Sequence, residues 1–512
     1  MPSKPSASLT ATVLGGIRLT TAGYLATQAI TLTSYLVLAH VATPADFGEF
    51  AAGSIFIGFA FVFSESGMLA ALVQRRDRLH EAANTALVAT VSAGVAMALV
   101  GLAVSPLIGL FFDSATIGRV AAVMSGYIVL RQSIIVPDAL MQRRFSFLRR
   151  GIVEPVSALT FGATAITACS HGMGVWGLVL GWYAMGTSEV ILAWGLARWK
   201  PDLSAVSFAT WRELVRFGRH VFAAEFVKRS TAQLSTLFIG RFTGAAALGQ
   251  FQYALRVASR PLDALVNTTA HVLYPAFARI ADDPPRFRGA VARSLRWTSV
   301  VAFPASLSMF ALGEPLVVVV FGERWREAGQ AVRAMCLYTA GQSFGSLGTE
   351  VFRAAGRPHL SFRMNVVGLV STAAFMVALL PFGLLGIAAA ISLQAVVVAV
   401  YSVRTISRVV DVPIREIADD LWPPAAAATV AVACIYPLDR LVLHADRAGL
   451  LPALGLLAAE ACLGGLIYVA VLRVTAPATA ATLLRVVRRV TSRVAQIHGP
   501  RDPIDADARP GR

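Results

Sequence analysis

Residues 82–112 read AANTALVATVSAGVAMALVGLAVSPLIGLFF, thirty-one positions without one charged side chain. A helix needs roughly 20 apolar residues to cross a bilayer core. Its backbone N–H and C=O groups must then be satisfied inside the helix, because lipid offers them no partner. This stretch meets the first requirement and carries nothing ionisable to prevent the second.

Working outward from it, the same pattern recurs along the chain. Apolar stretches fall at roughly 13–41, 47–73, 82–112, 116–140, 152–170, 175–197, 219–241, 248–275, 295–312, 328–352, 362–381, 383–403, 421–440 and 450–471. Hydrophobic residues make up 56% of the 512, and mean hydropathy is +0.65, too apolar for a soluble domain of this length. The sequence therefore reads as an all-α polytopic membrane protein with about fourteen transmembrane helices.

The connections between these stretches sort by charge. Arginine collects at Arg75, Arg76 and Arg78, at Arg143, Arg144, Arg149 and Arg150, and again around residues 198–216, 279–288 and 404–415. The alternate connections, Thr43–Asp46, His171–Gly174 and Pro381–Gly383, are short and almost uncharged. Lysine and arginine favour the cytoplasmic side, which places both termini inside and requires an even number of spans. The net charge of +16 is explained by these loops facing anionic membrane lipids, so no nucleic-acid partner is expected. The first span is read as an uncleaved anchor. Cys169, Cys336, Cys434 and Cys462 lie within or beside spans and far apart, which indicates neither a disulfide framework nor a metal site.

The longest inner connection divides the spans into six and eight. The expected organisation is an N-terminal lobe (1–197), a cytoplasmic amphipathic linker (198–218), a C-terminal lobe (219–403), two additional helices (404–472) and a basic cytoplasmic tail (473–512). Thr210-Trp211-Arg212-Glu213 has the spacing of a capping box and predicts a short helix on the inner membrane surface. In the tail, Leu484, Val487, Val490 and Val494 share one helical face and Arg485, Arg488, Arg489 and Arg493 the other, a second helix for that surface.

Two echoes suggest that the lobes repeat each other. Asp46-Phe47-Gly48-Glu49-Phe50 returns as Ala247-Leu248-Gly249-Gln250-Phe251, and Leu110-Phe111-Phe112-Asp113 as Val320-Phe321-Gly322-Glu323. The shared order and similar offset fit a transporter built from parallel repeats, with the last two spans added.

Ionisable groups at membrane depth are costly and normally face a cavity or a partner. The seventh span carries Glu225, Lys228, Arg229 and Gln233, and the eighth carries Arg256, Arg260 and Asp263, each set on one face. Arg131 lies deep in the fourth span, Glu189 in the sixth and Glu65 toward the inner end of the second. Such charges can pair and hold helices together, as in Arg229 with Glu225 or Arg260 with Asp263. Alternatively, Arg131, Lys228, Arg229, Arg256 and Arg260 form a cationic cavity for an anionic cargo, with Glu65, Glu189, Glu225 and Asp263 as counter-charges or coupling groups. Cations outnumber acids among the deepest residues, and the guanidinium fork suits phosphate, which favours the cavity.

Several motifs now resemble one family. They are Thr43-Pro44-Ala45-Asp46-Phe47-Gly48, Ser66-Gly67 followed by Ala71-Leu72-Val73-Gln74-Arg75-Arg76, and Ile239-Gly240-Arg241-Phe242-Thr243-Gly244. Tyr274-Pro275-Ala276-Phe277-Ala278-Arg279, Phe321-Gly322-Glu323-Arg324-Trp325 and Ala355-Gly356-Arg357 continue the series over roughly residues 20–360. Together they resemble the bacterial polysaccharide flippases of the multidrug/oligosaccharidyl-lipid/polysaccharide exporter superfamily. The resemblance implies two six-helix lobes around a cavity that opens alternately to each side of the plasma membrane. It also implies a polyprenyl-diphosphate-linked glycan as cargo, with a polysaccharide polymerase or glycosyltransferases as partner enzymes. Relatives often carry an acidic residue where this chain has Ser235, so coupling through such a carboxylate is not expected here.

Two rivals remain at this point. Multidrug efflux on the same fold would favour acidic cavity groups for cationic drugs. A membrane glycosyltransferase or polymerase would need carboxylates beside a large outer loop, whereas Asp46 and Glu49 sit by a tiny one that reads as turn and helix-start chemistry. No G-x-x-x-x-G-K-[ST] loop is present, and no cofactor is expected.

Overall fold

The computed structural model describes residues 7–65, 72, 77–143, 149–485 and 488. Every element among them is helical. The first seven helices are α1 (Ala7–Val41), α2 (Pro44–Gly53), α3 (Ile55–Glu65), α4 (Leu79–Phe111), α5 (Ala115–Arg143), α6 (Glu154–Ser170) and α7 (Val175–Ala197). They are followed by α8 (Phe208–Phe242), α9 (Ala245–Ile280), α10 (Pro284–Phe321), α11 (Arg326–Ala334) and α12 (Tyr338–Ala354). The series ends with α13 (His359–Leu379), α14 (Gly383–Val410), α15 (Ile414–Leu438) and α16 (Leu450–Thr475). Over its described residues, each expected span falls on a helix or on a pair of short consecutive ones, α2 with α3 and α11 with α12.

Nine stretches among the described residues are long and apolar enough to cross a membrane. One of them, 359–410, holds both α13 and α14. The helices outside this set are the short α2, α3, α11 and α12 and the polar pair α8 and α9, which carry the charges discussed below.

Local chemistry explains several boundaries. Thr43 caps α2: its hydroxyl accepts from the Asp46 amide at 3.2 Å, and its own amide donates to the Asp46 carboxylate at 2.8 Å. Pro44 stands in the first turn, where a missing N–H costs nothing. The Asp46 region is thus helix-start chemistry, as its sequence suggests.

The capping box expected at Thr210 is not formed. Ser207 caps α8 instead, accepting from the Thr210 amide at 3.4 Å, and Thr210 is buried and bonded through its hydroxyl to Glu81 of α4. The helix then runs unbroken to Phe242, because no proline interrupts residues 208–242. A separate surface helix before the seventh span is therefore replaced by one continuous helix. The Ser66-Gly67 motif, Arg75, Arg76 and Arg144 lie outside the described residues, as does the tail beyond residue 485 apart from Arg488.

Helices α4, α5, α6 and α7 pack with α1 and α2 into one group, and α9, α10, α12, α13 and α14 into another. Small residues allow the closest approaches. A Cβ on Gly109 of α4 would sit 3.1 Å from Gly118 Cα of α5. Where the groups meet, a Cβ on Gly48 of α2 would lie 1.7 Å from the Ala245 carbonyl oxygen of α9. One on Gly249 of α9 would lie 1.8 Å from the Pro44 carbonyl oxygen of α2. The glycines of the first sequence echo therefore pack each repeat's backbone against the other's.

That end of the molecule is sealed by aromatic rings. Phe47 meets Tyr253 at 4.9 Å and Trp325 at 5.7 Å, and the Trp325 indole donates to the Ala39 carbonyl at 2.9 Å. Gln250 donates to the Arg324 carbonyl at 2.7 Å and accepts from the Ala328 amide at 3.0 Å. All of these contacts join segments distant in sequence. Helices α15 and α16 pack together and against α10, outside both groups.

Candidate functional site

Beneath the glycine contact, α1, α2, α6, α7, α8 and α9 enclose a cavity of about 180 Å³. Tyr35, Phe50, Trp182 and Tyr253 supply aromatic walls, while Gln233, Thr236 and Gln252 supply polar ones. Arg256 is the one charged side chain on its lining among the described residues.

Arg256 lies one helical turn beyond Tyr253 on α9 and is half-buried. Its guanidinium stacks over the Tyr35 ring at 3.5 Å from the centroid and lies 6.0 Å from the Tyr253 ring. An aromatic face attracts a cation through its quadrupole without consuming its N–H donors. The fork is therefore held in place while its hydrogen-bonding capacity stays available. Tyr253 donates its hydroxyl to the Tyr35 carbonyl at 3.1 Å, which fixes the second ring. Gln252 donates to Thr236 at 3.3 Å and ties α9 to α8 across the cavity wall. No carboxylate pairs with Arg256 among the described residues.

The other residues expected at this site are distributed as follows. Arg260, one turn below Arg256, donates to the Gln28 side chain of α1 at 3.0 Å, so it also bridges the two groups of helices. Arg229 is exposed on α8. Arg131 of α5 and Glu189 of α7 form an ion pair at 2.7 Å within the first group, and neither lines the cavity. The backbones of Glu65, Glu225, Lys228 and Asp263 belong to α3, α8 and α9, and their side chains lie outside the described residues. Ser235 is buried, with its hydroxyl directed to the Ala232 carbonyl at 3.4 Å.

Sequence reasoning overlooked the aromatic walls, because single aromatic residues in apolar helices carry no periodic signal. It also passed over Glu314 in α10, which is 4% exposed in its side chain and bonded by three arginines: Arg326 at 3.0 Å, Arg333 at 2.8 Å, and Arg440. An acid inside an apolar stretch was the available signal. This cluster fastens α10 and α11 to the chain that follows α15.

The cavity thus lies where the two groups of helices meet, and comparison with known proteins identifies the family. A family model described as "Polysaccharide biosynthesis protein" matches residues 37–330. The lipopolysaccharide biosynthesis protein WzxC of Escherichia coli is 27% identical over 65% of this chain and 68% of its own length. The succinoglycan biosynthesis transport protein ExoT of Rhizobium meliloti is 24% identical over 59% of this chain and 61% of its own. Among solved structures, the lipid II flippase MurJ in an inward closed conformation superposes with a TM-score of 0.71 at 12% identity. That match covers 89% of this chain and 98% of the other. An inward-facing multidrug resistance MATE family transporter of the MOP superfamily reaches 0.50 at 16% identity, over 77% and 94%. These structural likenesses fix the fold, and the family model spans more than half of the chain. The chain belongs to the polysaccharide biosynthesis protein family, on the fold of the multidrug/oligosaccharidyl-lipid/polysaccharide exporter superfamily.

Proposed function

We propose that this protein is a flippase that moves a polyprenyl-diphosphate-linked oligosaccharide from the cytoplasmic to the outer leaflet of the bacterial inner membrane by alternating access. The observation that carries the reading is the Arg256 guanidinium, held by Tyr35 in an inter-lobe cavity whose lining bears no acid among the described residues. A diphosphate presents several oxygens to such a fork, and charge-assisted bidentate bonds are the strong ones. The aromatic and amide side chains around it suit the sugar faces and hydroxyls next to that group. Arg260, Arg229 and Lys228 are kept as further cationic contributors along the path, Glu65, Glu225 and Asp263 as counter-charges, and Arg131 with Glu189 as an ion pair within the first group of helices.

The arginine-rich loops support a topology with both termini in the cytoplasm, with which fourteen crossings are consistent. The Gly48–Gly249 contact then closes the outer side. Polymerase or glycosyltransferase partners would act on the cargo before or after this step. Efflux of cationic drugs is disfavoured by the sign of Arg256.

The decisive experiment is depletion of the protein, followed by extraction of polyprenyl-linked sugars and assay of the leaflet they occupy. Accumulation of a completed diphosphate-linked glycan on the cytoplasmic face, with loss of a surface polysaccharide, is the expected result. Accumulation of an incomplete glycan would instead indicate an enzyme. Unchanged lipid-linked sugars with raised drug sensitivity would indicate efflux.

A further inference from the structure

Glu460 stands in α16, ten residues after its start at Leu450, and is 1% exposed. Its carboxyl has no partner other than the carboxyl of Asp439 among the described residues. It borders a second cavity, of about 210 Å³, between α10, α15 and α16, with apolar walls such as Ala431, Ile435 and Gly464. The other polar side chains there are engaged elsewhere: Tyr468 donates to the Val300 carbonyl at 2.8 Å and Ser308 to the Ala305 carbonyl at 3.0 Å. An ionised carboxylate in such a place would be unpaired and desolvated, and a group so placed keeps its proton instead.

Among the described residues, the surrounding charges offer no cation. The carboxyl beside Glu460 is that of Asp439, which is 4% exposed and opens the turn 439–443 that extends α15. Asp439 accepts from the Ala445 amide at 3.2 Å. The arginines of the region are committed to other acids. Arg326, Arg333 and Arg440 converge on Glu314 of α10, and Arg326 also binds Glu323 at 2.6 Å and Asp446 at 2.9 Å. The hydrogen bonds from Arg326 hold the Glu323 carboxyl below its usual range, so this engagement persists through neutral pH. Three guanidiniums thus face three carboxylates without Asp439 or Glu460. Tyr436 of α15 lies against Arg333 and Arg440, with ring centroids 5.3 and 6.0 Å away. Arg447 has its side chain outside the described residues.

We propose that Glu460 is a proton-binding site of the C-terminal helix pair, holding in this conformation one proton that it shares with the Asp439 carboxyl. Two carboxylates cannot hydrogen-bond to each other, but one proton between them satisfies both. Loss of that proton leaves two adjacent negative charges in an apolar cavity, so discharge requires water to enter or α16 to move away from α15. Glu460 and Asp439 lie outside residues 37–330, and the proposal does not depend on which cargo the central cavity takes.

The test is infrared difference spectroscopy on the full-length protein in liposomes, titrated with pH. The wild type is expected to show the carbonyl band of a buried protonated carboxyl at neutral pH, and Glu460→Gln to lack it. Identical neutral-pH spectra for the two would overturn the proposal. Should Glu460→Gln not accumulate, Asp439→Asn decides. Removing the neighbouring charge is expected to move the loss of the band to lower pH, and an unmoved titration would overturn the assignment. Abolition of the band by sodium at fixed pH would assign the site to a metal cation and equally overturn it.

Discussion

At the scale of single residues, depth in the membrane does not separate a working charge from a structural one; the partner does. Arg256 stacks on Tyr35 and meets no acid among the described residues, whereas Arg131 pairs with Glu189 fifty-eight positions away. Arg256→Gln is therefore expected to leave folding intact and slow cargo translocation about 10- to 100-fold, the equivalent of roughly 1.5–3 kcal/mol for a charged hydrogen-bonding group. Arg256→Lys should recover only part of the loss, because an ammonium keeps the charge but not the fork. Both variants are read by flipping of lipid-linked glycan in proteoliposomes, and a wild-type rate for Arg256→Gln would remove this residue from the site. Arg131→Gln should behave differently, lowering the melting temperature by leaving Glu189 without its cation. The sequence marked both arginines as ionisable groups inside spans, but pairing across α5 and α7 is a tertiary fact that no local spacing encodes. Glu314 and Glu460 were equally visible as acids in apolar helices and show that the rule applied to α8 and α9 extends to α10 and α16.

At the scale of elements, the contact between α2 and α9 turns a faint repeat into a mechanism. The sequence matched Gly48 with Gly249 by their neighbours, yet it could not say that the two glycines would abut each other's helix. Any side chain at either position must force the helices apart, since an added Cβ would stand 1.7 or 1.8 Å from a backbone oxygen. Gly48→Ala is expected to shift the protein toward a conformation open at that end. In a background with the four native cysteines replaced by serine, Thr236→Cys reports on the cavity. Its labelling by an impermeant maleimide from outside the cell should rise several-fold when Gly48→Ala is added, and unchanged labelling would mean that α2 and α9 are not the gate. The Glu314 cluster makes a second prediction. Breaking a buried pair by removing one partner costs about 3–5 kcal/mol, less here because the arginines are about a third exposed. Glu314→Gln should thus lower the thermal midpoint and expose residues 439–449 to protease, with Arg256-dependent transport affected less than stability.

At the scale of the whole molecule, hydropathy made most of the helices legible, since a bilayer rewards only long apolar helices with satisfied backbones. Two things escaped. The join between the inner connection and α8 was hidden because a cap at Ser207 and a cap at Thr210 look alike in sequence. The sealed aromatic end was hidden because Ala39, Phe47, Tyr253 and Trp325 are brought together from four separate segments. The same global view sets the energetics. A diphosphate with roughly two negative charges moving out of a negative interior would gain about 4–5 kcal/mol per 100 mV if no counter-charge moved with it. Flipping in proteoliposomes should therefore slow when the potential is collapsed at constant pH, in the wild type and in Glu460→Gln alike. A pH gradient acts through a different group. If α16 discharges a proton during the cycle, the dependence on that gradient should disappear in Glu460→Gln while the dependence on potential persists. Insensitivity to potential in both proteins would mean that Arg256 or another cation travels with the cargo and cancels its charge.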